Sequence, residues 1–201
     1  MPRNRRTDGA PLTTIDDFAS DRATNHFLVF DCFMSANSVP TGTSDSAAPL
    51  MGPEQIEAMI PHRSPMRLLD EVLELTESTI HARKTFSPDD FFVQGHFPDY
   101  PLVPGVIQCE CCLQAGAILL RNHTPEVGEF VPVATRMDSV KFKNMVRPGD
   151  TVDIHVTLKE RLSNAFFLSG KMLLNGKTTT RLEFACSITN PRGEDDTDAA
   201  P

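Results

Sequence analysis

The sequence predicts an α+β fold in which a curved antiparallel β-sheet wraps around one long central α-helix. Three observations carry this expectation. From Pro104 to about Arg121 the stretch "PGVIQCECCLQAGAILLR" is apolar on nearly every side, with Gln108, Glu110 and Gln114 as polar exceptions, and a helix apolar all round is a buried helix. After it the hydrophobic pattern changes to strict alternation, the mark of half-buried strands. Asn175 and Gly176 stand between two such stretches, and this pair signals a hairpin because both residues tolerate positive φ. A sheet with one apolar face that follows such a helix buries it on every side by wrapping it.

Taken in chain order, residues 1–50 are rich in Ser, Thr, Asp and Ala and hold one short apolar run, "HFLVFDCFM". We expect a disordered leader, or a start of translation at Met34 or Met51. "RNRR" hints at a transit peptide, but Asp16, Asp17 and Asp21 oppose it, because such peptides avoid acids. The folded domain is expected over residues 51–190. It opens with a short helix in "GPEQIEAMIPH", where Pro53 suits a first turn, Glu54 its positive end, and Ile56, Met59 and Ile60 one face until Pro61 stops it. "TIHARKTF" alternates loosely, and the long helix follows. "DSVKFKN" then sets Val140 and Phe142 against Lys141 and Lys143, and "DTVDIHVTLKE" sets Val152, Ile154, Val156 and Leu158 against polar partners. "NAFFLSGKMLL" and "KTTTRLEFACSI" flank the hairpin turn. Residues 191–201, "RGEDDTDAAP" among them, read as a disordered acidic tail.

The 201 residues favour one domain over two. The net charge of −8 argues against a nucleic-acid binder, which carries a basic excess over a whole face. No stretch has the length of apolar residues that a membrane span needs, and a cytoplasmic protein is expected. Cys109, Cys111 and Cys112 crowd the central helix, where neighbours do not bridge in ordinary geometry. Reduced, buried thiols fit best, and a metal site built from Cys109 and Cys112 with a histidine is the lesser reading. No metal is expected.

The chemistry concentrates in "GHFPDYPLVPGVIQCE", residues 95–110. Pro104 and Gly105 open the long helix, so the N–H groups of Gly105 and Val106 should point unpaired from its start and accept a carbonyl oxygen. Glu110 lies about a turn and a half further on, where an apolar surround should raise its pKa and let it donate a proton. His96 precedes the stiff "FPDYPLVP" segment and is suited to act as a base. Base, acid and carbonyl-polarising donors together suit reversible dehydration of a β-hydroxyacyl thioester. Each also has a plainer reading: an idle surface histidine, and a glutamate that accepts a hydrogen bond from Gln114 one turn on.

"IPHRSPMRLLDEVLEL", "FFVQGHFPDYPLVPGVIQCECCLQAGAIL", "VKFKNMVRPGD" and "LLNGK" occur in order across roughly residues 53–190. Together they resemble the FabZ-type (3R)-hydroxyacyl-acyl carrier protein dehydratases, hotdog-fold proteins of the FabA/FabZ superfamily that act in fatty acid biosynthesis. The resemblance implies His96 and Glu110 as the catalytic pair, with Gly105, and Val106 beside it, holding the thioester carbonyl. It further implies an acyl chain carried on the phosphopantetheine of acyl carrier protein, a tunnel lined by Phe92, Val106 and Phe142, and no metal or redox cofactor. In that family the histidine and glutamate of one site come from different subunits, so the implied unit is at least a homodimer, often a hexamer. Glu110 favours a simple dehydratase over the aspartate-bearing isomerases. The acidic carrier protein needs a locally basic surface, for which Lys141, Lys143 and Arg147 are candidates ahead of Arg121 and Arg136.

Asp99 and Tyr100 stand where the family usually has Gly-Arg, and Arg67 and Gln108 replace apolar positions. A charge placed there must reach solvent or find a partner. Other readings are a hotdog thioesterase, a dehydratase of polyene or polyketide synthesis, or a non-catalytic acyl-binding subunit; retention of both His96 and Glu110 argues against the last.

Overall fold

The computed structural model describes residues 48–124 and 131–189; the expected leader and acidic tail lie outside these residues but for the last positions of the leader. Helix α1 runs Pro53–Met59, then strands β1 (Glu71–Leu75) and β2 (Thr79–Thr85), the long helix α2 (Gly105–Leu120) and a short turn of 3-10 helix (Arg121–His123). Four long strands follow: β3 (Val131–Phe142), β4 (Thr151–Leu162), β5 (Ala165–Leu174) and β6 (Lys177–Thr189). They form one six-stranded sheet in the order β1-β2-β4-β5-β6-β3, antiparallel throughout.

Alternation does the work that the sequence assigns to it. Val152, Ile154 and Val156 of β4 are buried against α2, as are Phe166, Leu168 and Met172 of β5 and Leu182 and Phe184 of β6. From the helix come Cys111, Cys112, Ala115, Ile118, Leu119 and Leu120, all buried. Helix and sheet approach closely at Gly170, where an added Cβ would stand 3.0 Å from that of Cys112. A side chain on β5 here would lift the helix from the sheet. The β5–β6 turn is built as expected, with φ of +50° at Asn175 and +75° at Gly176, the two positive values of a tight hairpin.

One strand goes unread in the sequence and two expectations need correction. β1 carries no separate signal in the sequence: "EVLEL" has only Val72 fully buried, and it forms by pairing with β2. β3 is longer than its alternating end suggests and begins at Val131. Among the described residues it pairs with β6 alone and closes the sheet edge, which is where Pro132 is tolerated. Nor is α2 buried on every side within one chain: Val106 is 74 % exposed, and Glu110 and Leu113, on the same helix face, are only half buried. Beside this opening the edge strand shows Val133, Met137 and Phe142 to solvent.

Candidate active site

His96 is held from both sides by its own loop. Its backbone N–H donates to Val93 O at 3.1 Å, and its carbonyl accepts from Leu102 N–H at 3.3 Å. Its ring Nδ1 lies 3.1 Å from Leu102 O. A carbonyl only accepts, so Nδ1 carries the hydrogen and Nε2 is left as the lone-pair nitrogen, the form a base needs. The imidazole lines a cavity of about 510 Å³ together with Gly105, Val106, Phe142, Lys143 and Met145. At the start of α2 the N–H groups of Gly105 and Val106 find no acceptor among the described residues, as expected of a first helical turn. Phe142 roofs Gly105 closely: a Cβ there would stand 2.6 Å from its Cζ. One cavity thus holds His96, Gly105, Val106 and Phe142.

Glu110 is not on this cavity's wall. Its Oε1 accepts from Gln114 Nε2 at 2.9 Å and lies 3.4 Å from His62 Nε2. Gln114, buried, also donates to Met66 O at 2.8 Å and accepts from Leu68 N–H at 2.9 Å. The segment between α1 and β1 therefore straps the glutamate in place. The plainer expectation, a hydrogen bond from Gln114 to Glu110, is met; the raised pKa is not. Burial pushes the carboxyl up, but the hydrogen bonds from His62 and Gln114 and the charge of His62 outweigh it and leave Glu110 below the ordinary value of 4.5. Composition showed an apolar helix; it did not show His62, 48 positions away, folded against it.

Phe92, expected along the acyl tunnel, does not line the cavity. It is buried in the core, edge-on to Phe86 and Phe91. Of the basic candidates, Lys143 lines the cavity and Arg147 an adjoining hollow reached past Asn144 and Met145. Arg147 stacks on Tyr100, 4.2 Å from the ring centroid, and its guanidinium contacts the Tyr100 hydroxyl. Tyr100, one of the unusual residues of this loop, therefore packs beside the adjoining hollow through Arg147. Lys141 faces away on the outer sheet, Arg136 pairs with Asp138 at 2.6 Å, and Arg121 donates to Met59 O at 2.7 Å. The two polar replacements have partners: Arg67 bonds Glu57 at 3.0 Å and the carbonyl of Leu69. Gln108 donates to Val103 O at 3.2 Å and accepts from Thr180 Oγ1 at 2.6 Å.

Cys109, Cys111, Cys112 and Cys186 are free and buried. Burial pushes all four thiols up, Cys186 to about 11. Among the described residues no helix is long and apolar enough to cross a membrane.

Residues 60–183 match a family model described as a FabA-like domain. The chain is similar to the 3-hydroxyacyl-[acyl-carrier-protein] dehydratase FabZ of Petrotoga mobilis, 37% identical over 138 residues that cover 69% of this chain and 98% of the relative. It is 39% identical over 139 residues to the enzyme of the same name from Clostridium perfringens, covering 69% and 99%. Among solved structures it is similar to the dehydratase heterocomplex ApeI:P from Xenorhabdus doucetiae, with a TM-score of 0.60, 17% identity, and coverage of 68% of this chain and 92% of that one. That likeness supports the hotdog fold.

Proposed function

Because the chain belongs to the family of FabA-like domains, and its FabZ relatives are matched along nearly their whole length, we propose that it is a 3-hydroxyacyl-[acyl-carrier-protein] dehydratase of fatty acid biosynthesis. It is a hydro-lyase that interconverts (3R)-hydroxyacyl and trans-2-enoyl groups carried on acyl carrier protein. The observation that carries this reading is the cavity that His96, its Nδ1 tied to Leu102 O, shares with Gly105 and Val106 at the start of α2.

The thioester carbonyl accepts from the Gly105 and Val106 N–H groups, which steady the negative charge that grows on its oxygen as the C2–H bond breaks. His96 Nε2 takes that C2 proton. The C3 hydroxyl leaves as water with a proton from Glu110 of the partner subunit. The acyl chain, once bound, strips water from the open side of Glu110, and this desolvation raises its carboxyl toward the protonated form. In the reverse direction the carboxylate takes a proton from the attacking water. No step calls for a metal or redox group; the phosphopantetheine belongs to the substrate.

The exposed apolar edge of β3 supports the assembly, since a long uncovered edge strand invites a second chain. So does the separation of Glu110 from the His96 cavity in one chain. The functional unit is a homodimer, with hexamers as a further stage, and residues 51–190 form the catalytic domain of a cytoplasmic protein. Lys143 and Arg147 flank the mouth where the acidic carrier would dock.

The test is hydration of a trans-2-enoyl group on acyl carrier protein by the parent, His96→Ala and Glu110→Gln, each checked as an intact dimer. Both variants should lose nearly all activity. Re-assembled together in equal amounts they should regain about a quarter of the parental rate, because half the dimers are mixed and each mixed dimer holds one intact site. A parent that releases free thiol without hydrating the enoyl group would instead mark a thioesterase, and no recovery on mixing would refute the shared site.

A further inference from the structure

The sheet face turned away from α2 carries a feature that the dehydratase chemistry leaves unused. Strand register sets His81 opposite His155, His155 opposite Lys171, Lys171 opposite Arg181, and Arg181 opposite Lys141. Directly opposed residues share a face. Five basic side chains therefore form one row across five neighbouring strands, about 19 Å from end to end at ~4.8 Å per strand. The whole chain carries −8, so the row does not follow from composition.

Like charges placed opposite each other weaken a sheet. Among the described residues the side chains of Lys141, Lys171 and Arg181 have no ion pair or hydrogen bond to relieve this. Asp153 is already engaged by His81 at 3.1 Å and Arg83 at 3.3 Å. The middle of the row borders a hollow of about 300 Å³, whose wall holds His155, Lys171, Arg181 and the hydroxyl residues Ser139, Thr157 and Ser169, with Glu183 as its one carboxylate. Ser139 reaches it through a bulge in β3, where the register slips between Asp138 and Lys141 and φ turns to +52°. A second hollow of about 250 Å³ adjoins across His155, Thr157 and Lys171 and leads to His81.

We propose that this outer hollow binds the phosphate group of a small phosphorylated molecule. A phosphate monoester offers three acceptor oxygens and up to two charges, which matches two fixed cations, a titratable third and three hydroxyls. A carboxylate has two oxygens and one charge and would leave half the donors idle. The charge of the row already shows in His155. Its pKa is lowered by burial and by the charges of His81 and Lys171, against the opposing pull of Asp153 and Glu74. A bound anion reverses that balance, so binding strengthens as His155 gains its proton. The site also touches the reaction cavity through one strand: Lys141 and Ser139 face the hollow side, and Phe142, the next residue, roofs Gly105 on the other.

Inorganic diphosphate titrated into the full chain at fixed ionic strength, followed by NMR of the His155 ring, tests this. A saturable shift and an upward move of the His155 titration midpoint are expected. Lys171→Gln and Arg181→Gln, both at exposed positions, should each weaken binding at least about tenfold, the loss of one charge-assisted hydrogen bond. Lys159→Gln, on the same strand as His155 but outside the hollow, should leave it unchanged. Equal responses to diphosphate and to sodium chloride of the same ionic strength would overturn the proposal, as would parental affinity in both the Lys171 and Arg181 variants.

Discussion

Gly105→Ala separates the roles of helix start and cavity roof. The new methyl would stand 2.6, 2.8 and 3.0 Å from three ring carbons of Phe142, where non-bonded carbons prefer about 3.5–4.0 Å, so the ring must withdraw by about 1 Å. Phe142 is 55 % exposed, and its ring can swing without moving the backbone. The lost ring contact, on the order of 40 Å² at ~25 cal/mol per Å², costs about 1 kcal/mol; alanine in place of glycine returns up to about 1 kcal/mol of helix propensity. Unfolding in urea should thus show a net change within about 1 kcal/mol. Catalysis should respond more strongly. The N–H is retained, but a misplacement of about 1 Å at a reacting group costs roughly a hundredfold, about 2.7 kcal/mol of barrier. Loss of enoyl-thioester absorbance on hydration reports kcat/KM for the parent, Gly105→Ala, Phe142→Ala and the double variant. The double variant should be no worse than Phe142→Ala alone, because the methyl then has no ring to displace. Undiminished kcat/KM in Gly105→Ala would refute the placing of the carbonyl at this helix start, and fully multiplicative losses would refute the ring as transmitter.

Glu110 lies below its ordinary value, so ionised Glu110 stabilises the fold above pH about 4.5 and this contribution fades as pH falls through the lowered value; Glu110→Gln should flatten the acid limb of stability against pH. His155 acts in the same direction at higher pH: lowered in the fold, it favours unfolding once pH drops below about 6.5, and His155→Gln should remove that decline in thermal melts. Thr180→Val leaves the Gln108 carbonyl oxygen buried without its 2.6 Å donor and should cost about 1–3 kcal/mol in urea unfolding. Cys109, Cys111, Cys112 and Cys186, buried and with raised pKa, should stay unlabelled by an aromatic disulfide reagent in the native protein at pH 8 and react in urea; fast native labelling at any of them would contradict the packing.

The second half of the fold was readable because alternation and a turn pair are local properties: β4, β5, β6 and the Asn175–Gly176 turn lie where the pattern puts them. β1 was not, since its five residues owe their conformation to β2 and to the bridge with Met51. The cavity followed the same division. His96, Gly105 and Val106 belong to one continuous motif and meet as the spacing requires. The environment of Glu110 depends on His62, brought in by the chain's return past α1, and no spacing rule anticipates that contact. The packing of Phe92 was hidden for a similar reason, because which way an aromatic in a loop turns is settled by Phe86 of the β2 end.

The order of elements also sets a problem for synthesis. Helix α2 ends at Leu120, yet the strands that cover it finish only at Thr189, and β3 waits for β6, the last to be made, as its sole neighbour. At roughly 5–20 residues per second, an almost wholly apolar helix trails from the ribosome for about 3–14 s before its wrapping is complete. A cell that makes this protein quickly must shield that segment, and substitutions that slow the closure of β6 should lower soluble yield before they lower the stability of the finished fold.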